Sequence, residues 1–182
     1  MPTPRHAIEN YILGKDGNRP DLLRQAFTPE ACVEMVVRTD AISFPAHLEG
    51  RPAIAETLVR RFNQTYENIY TFCVGEPPAT QVPAHTCKWF VGMSDKQTGD
   101  VRVGCGDYRW QFDPQSGHVA HLTIQIETMQ VIPATELVPV MDWLQGLSYP
   151  WCPATQTTRQ APPLPALAAV IEYLQHPTHP AD

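Results

Sequence analysis

Between Asp107 and Phe112 the residues Tyr108, Trp110 and Phe112 alternate with Asp107, Arg109 and Gln111. Alternate side chains of a strand point to opposite faces. One face therefore carries three aromatics, and the other a carboxylate, a guanidinium and an amide. If the aromatic face is inward, Tyr108 places a phenol hydroxyl deep in an apolar wall, where it needs a partner. Asp107 and Arg109 then lie outside, where their charges can pair. If the parity is reversed, Asp107 and Arg109 point inward instead. His121 shares a face with Thr123, Gln125 and Glu127, and turned inward it is a general base suited to neutral pH. Asp40 and His47 lie on one loop, TDAISFPAHLEG, and form a second acid–base candidate.

Metal chemistry is the weaker reading. His85, His118 and His121 with Cys87 and Cys105 supply suitable ligand types, but a zinc site needs three or four that converge. His118-x-x-His121 on a strand sends its side chains to opposite faces. No metal and no cofactor is expected. The five cysteines, Cys32, Cys73, Cys87, Cys105 and Cys152, are odd in number and contain no CxxC pair. They read as free thiols, mostly small core hydrophobes, in a reducing cytoplasmic compartment.

Positioning such groups requires a core. The 182 residues suit one ordinary domain, with 43% hydrophobic and 18% charged residues. A net charge of -6 disfavours nucleic acid and anionic membrane surfaces. No run approaches the ~20 apolar residues of a membrane span, and MPTPRHAIENYI lacks the apolar centre of a signal peptide.

Helical spacing appears at Ile8, Tyr11 and Ile12, and a second short helix covers Asp21 to Phe27. Thr28-Pro29-Glu30 suggests another helical turn, followed by a strand from Cys32 to Arg38. Pro52 opens a helix with Ile54, Leu58 and Phe62 at i, i+4 and i+8. Strands are expected at Ile69–Gly75, His85–Ser94, Asp100–Phe112 and His118–Ile132, joined as an antiparallel meander. Beyond Ile132 come a short helix from Pro139 to Leu147, an irregular segment SYPWCPATQTTRQAPPLP, and an apolar stripe of Leu164, Leu167, Val170, Ile171 and Leu174. The reading is a core over residues 1–132 and a proline-rich extension over 133–182, with two short helices packed on the core.

The stretches IENYILGKDGNRPDLLRQAF, LEGRPAIAETLVRRF and YRWQFDPQSGHVAHLTI resemble the nuclear transport factor 2-like superfamily, which includes SnoaL-like cyclases, ketosteroid isomerases and scytalone dehydratases. The resemblance spans roughly residues 5 to 132 and implies a cystatin-like α+β cone. In that fold, N-terminal helices pack on a strongly curved antiparallel sheet around an apolar hollow, here with a C-terminal helical extension. Against ketosteroid isomerases, Tyr11 matches the helix tyrosine, and the acid position falls on Tyr108, or on Asp107 if one residue bulges. The base position falls on Met35, which cannot take a proton.

Under reversed parity, Asp107 and Arg109 resemble the charged constellation of limonene epoxide hydrolases. The resemblance therefore implies binding or conversion of a small, largely apolar metabolite by an isomerase, cyclase, dehydratase or hydrolase without cofactor. Tyr11 and Tyr108 would be the donors, Met35, Phe62, Trp89 and Trp110 the walls, and His47, Asp40 or His121 the proton carrier. A non-catalytic carrier or dimeric interaction module is the alternative. The resemblance also implies a homodimer through the outer face of the sheet.

Overall fold

A computed structural model describes residues 2–176. Helix α1 (Pro4–Asp16) starts where sequence chemistry dictates. Thr3 accepts from the His6 backbone N–H, and Pro4 occupies the first turn, where no donor is needed. Ala7, Ile8, Tyr11, Ile12 and Lys15 form its buried stripe. A 3-10 turn (Pro20–Gln25) leads into β1 (Phe27–Val37), followed by β2 (His47–Glu49). One helical run then goes from α2 (Arg51–Ala55) through a π-helical stretch (Glu56–Arg61) into α3 (Phe62–Thr65). Strands β3 (Tyr66–Val74), β4 (Ala84–Asp95), β5 (Val101–Phe112) and β6 (Val119–Ile132) follow. The extension contributes α4 (Leu137–Gln145), β7 (Trp151–Cys152) and α5 (Ala168–Gln175).

The seven strands run in the order β2-β1-β6-β5-β4-β3-β7. The β3–β6 meander is antiparallel, as expected, and the fold is the α+β cone. The sheet as a whole is mixed, because β1 pairs parallel to β6 and β7 parallel to β3. The turn expected at Thr28-Pro29-Glu30 is instead the start of β1. Its pairing with β6 is irregular between Phe27 and Cys32, so Pro29 falls where the ladder is already interrupted. The segment read as wholly irregular contains β7. The edge of β3 has unpaired backbone groups that need partners. Pro150 and Cys152 carbonyls meet them, accepting from the Cys73 and Gly75 N–H groups at 2.8 Å each.

The sheet separates two apolar clusters. On its inner face the helices cover Val33, Met35, Trp89, Tyr108 and Trp110. On its outer face Phe72, Phe90, Val101, Val103 and Cys105 pack against Trp143, Leu144, Val170 and Leu174 of the extension. Gly92 makes this second layer possible. A Cβ there would lie 2.2 Å from Leu144 Cδ1. Gly92→Ala is therefore expected to cost about 1–3 kcal/mol by overpacking, read from denaturant midpoints. Much of the loss should be recovered in Gly92→Ala/Leu144→Ala, because the two sites are in contact.

Candidate active site

Helix α1 lies across the inner face of the sheet and brings Tyr11 onto Tyr108. The ring centroids are 6.3 Å apart and edge-on, and Tyr11 also meets Phe27 at 5.5 Å and Trp110 at 5.7 Å. The two phenols interact at this contact, which tempers the rise of the Tyr11 pKa. Trp89 stacks on Tyr108 at 5.6 Å, and its indole N–H donates to the Gln125 carbonyl at 3.2 Å. It crosses β5 at Gly106, where a Cβ would sit 3.0 Å from the indole and 1.8 Å from the Gln125 oxygen.

These residues border a cavity of about 40 Å³, room for a few water-sized atoms. Met35, Phe62, Trp89, Tyr11 and Tyr108 line it, and the loop between β1 and β2 closes it with Ile42 and Phe44. Trp110 lies outside the lining, behind Tyr11. Met93 and Met129 complete a flexible wall, since unbranched thioethers repack easily.

The lining includes a cation that the sequence reading missed. Lys15, buried one helical turn beyond Tyr11, donates to Thr71 Oγ1 at 2.7 Å and to Asp16 Oδ1 at 3.1 Å. Its Nζ also lies 4.5 Å from the Phe62 ring centroid. An ammonium has three donors, and these two hydrogen bonds occupy two of them. Asp16 stands behind it and accepts in addition from the Thr71 N–H at 2.7 Å, Thr71 Oγ1 at 2.8 Å and the Tyr149 hydroxyl at 2.7 Å. The available signal was spacing. Lys15 follows Tyr11 by four residues, which puts both on one helix face.

The remaining candidates lie elsewhere. Asp107 is on the outer face, where it accepts a hydrogen bond from the Tyr173 hydroxyl of α5. Its neighbour Lys88 donates to the Tyr173 and His176 carbonyls at the end of that helix. The aromatic face of β5 is thus the inner one. His121 is also outside, 3.7 Å from Glu34, and His47 is exposed beside Glu49 at 3.3 Å. Asp40 is on the loop but does not line the cavity. No Asp, Glu or His lines the cavity among the described residues. No group of three or more His, Cys, Asp or Glu among them could hold a metal ion, and no helix among them is long and apolar enough to cross a membrane.

Burial, and secondarily the negative charge of Asp16, pushes the Tyr11 phenol well above its usual range, and burial does the same to Tyr108. A group whose folded pKa exceeds its unfolded value of about 10 stabilises fully below that pH and progressively less above it. The denaturation midpoint is therefore expected to fall steeply above about pH 10. That alkaline limb should flatten in Tyr108→Phe. A midpoint unchanged through this range would refute the assignment.

No protein-family model matches the sequence, and no curated protein matches it. Solved structures do. The chain is similar to an NTF2-like protein from Burkholderia thailandensis at 13% identity, over 69% of this chain and 92% of that one, with a TM-score of 0.54. It is also similar to a protein of ketosteroid isomerase-like fold from Catenulispora acidiphila, solved in complex with trimethylamine, at 15% identity over 67% and 85% of the two chains, TM-score 0.52. A Mycobacterium tuberculosis LEH-like epoxide hydrolase matches at 10% identity over 68% and 81%, TM-score 0.50. Identities at this level establish architecture: the chain has the nuclear transport factor 2-like fold.

Proposed function

We propose that the cavity binds a small, largely apolar metabolite through one electron-rich oxygen, held by Lys15 with the Tyr11–Tyr108 pair. The observation that carries this reading is the buried Lys15 ammonium on an otherwise apolar wall. An ammonium and phenols in a water-poor site stabilise negative charge developing on a carbonyl or enol oxygen. Any conversion there belongs to the isomerase, cyclase, dehydratase or hydrolase type without cofactor, and works by polarising that oxygen. The absence of a carboxylate or imidazole from the described lining favours binding over proton abstraction. The trimethylamine held by the relative of similar fold is a base, and a buried ammonium selects against such a cation. The ligand favoured here is a neutral or anionic oxygen compound.

The test is calorimetric titration with acetone and butanone against the alkenes of the same shape. A hydrogen bond to a charged donor contributes about 1.5–3 kcal/mol, so the ketones should bind roughly tenfold or more tightly. The preference should vanish in Lys15→Met. Equal affinity for ketone and alkene in the unaltered protein would reject the reading.

The same reading bears on assembly. The outer face of β3 to β5, which the resemblance assigns to a second copy, is occupied by the chain's own extension. The extension takes the partner's place, and a monomer is the proposed state.

A further inference from the structure

Away from the cavity, the inner face holds a second cluster of reactive side chains. In the β4–β5 ladder Cys87 faces Tyr108 and His85 faces Trp110. Cys73 faces Trp89 across the β3–β4 ladder, so it is the diagonal neighbour of Cys87, and it faces Trp151 across the β3–β7 ladder. The His85 and Trp151 rings meet edge-on at 5.9 Å. Cys87 is 5% exposed, Cys73 0%, Trp110 1% and Trp151 9%.

Buried polar atoms are nearly always hydrogen-bonded, and each exception asks for an explanation. Among the described residues, the side-chain atoms buried without a partner are His85 Nε2, Trp110 Nε1, Trp151 Nε1 and Arg102 Nε. Three of these belong to this one cluster. Two are indole N–H groups, which only donate. A neutral thiol is a weak acceptor and leaves them unsatisfied. An oxygen atom on the Cys87 sulfur would be a strong acceptor beside Trp110 and His85.

We propose that Cys87 is a peroxide-reactive thiol whose oxidised form, a sulfenic acid, is received by the unpartnered nitrogens of Trp110 and His85, with Cys73 as the adjacent thiol. The Cys87 thiolate attacks one oxygen of hydrogen peroxide. The S–O bond forms as the O–O bond breaks, and the departing hydroxide leaves as water after taking a proton. Sulfur loses two electrons and peroxide gains them. Cys73 can then displace the new oxygen, forming an S–S bond and releasing a second water that carries the Cys73 proton. Reactivity follows thiolate character. The neighbouring Cys73 thiol foremost, with His85 and Trp110 beside it, holds the Cys87 thiol below its ordinary range against the burial that raises it. Cys105 has no such neighbours, and burial pushes it up to about 12.

The experiment treats the reduced full-length chain with hydrogen peroxide in the presence of dimedone, then maps modified peptides by mass. The expected products are a dimedone adduct on Cys87 or a Cys73–Cys87 disulfide, appearing before Cys32 is modified, although Cys32 is the more exposed thiol. Cys73→Ser should convert any disulfide into a lasting Cys87 adduct, and Cys87→Ser should abolish both products and leave Cys73 reduced. If a variant does not fold, the time course of the unaltered chain still decides. Cys32 consumed by peroxide while Cys73 and Cys87 remain alkylatable after unfolding overturns the proposal, and the nitrogens then hold only water.

Discussion

An Asp16→Ala chain is expected to lose about 3–5 kcal/mol of stability, because breaking a buried ion pair strands its partner charge. The Asp16 side chain is 4% exposed and that of Lys15 9%. Its carboxylate accepts from Lys15, from both donors of Thr71 and from Tyr149, so all of these lose a partner together. Tyr149 belongs to the extension, which makes Asp16 a link between helix, sheet edge and tail. The measurement is equilibrium unfolding in urea, with the slope compared between variants to confirm a stability effect. Tyr149→Phe, which removes one bond to a charged group, should cost about 1.5–3 kcal/mol. Lys15→Met/Asp16→Leu should recover the part of the Asp16→Ala loss that comes from the stranded charge, since replacing both partners by apolar groups leaves none. A loss below about 1 kcal/mol in Asp16→Ala would mean the network is solvated rather than buried.

The architecture was legible wherever hydrophobic period and turn chemistry agreed. The meander from β3 to β6 follows from alternation and from the turns at Asp95–Gly99 and Asp113–Gly117. Parity at Asp107 was not legible, because either face of an alternating strand can be buried. It is decided by Lys88 and Tyr173, the latter more than sixty residues away on α5. The parallel pairing of β1 with β6 joins the two ends of the core and leaves no local mark in the sequence. The short strand at Trp151 escaped for the opposite reason. Its surroundings are rich in proline, and only the exposed edge of β3 makes two residues pair there. At the cavity, aromatic residues were visible as walls, whereas Lys15 was masked by its neighbours in GKDG, which read as a helix end rather than as a buried charge. Searching the helix face of Tyr11 for polar residues would have found it.

Removing the extension after Ile132 is expected to turn the proposed monomer into a self-associating species. The extension buries Phe72, Phe90, Val101, Val103 and Ile132 under Trp143, Leu144, Leu167 and Val170. Each such side chain contributes about 1.5–3 kcal/mol when withdrawn from water, and uncovering a contiguous group creates a surface patch of the kind that marks interaction or aggregation. The truncated chain also loses β7, so the edge of β3 regains unpaired backbone groups and becomes a template for another strand. Two routes of association open together, through the face and through the edge. Light scattering coupled to size exclusion separates them. Face-to-face pairing gives a discrete dimer, while edge pairing gives a distribution growing with concentration. Lys88 sharpens the argument, because without α5 the buried ammonium loses the Tyr173 and His176 carbonyls that receive it. Its charge on the uncovered face opposes stacking of two copies, so Lys88→Met in the truncated chain should favour the dimer over the unmodified truncation. A full-length chain already dimeric, with a truncation that stays monomeric and folded, would show that the extension supports assembly instead of replacing it.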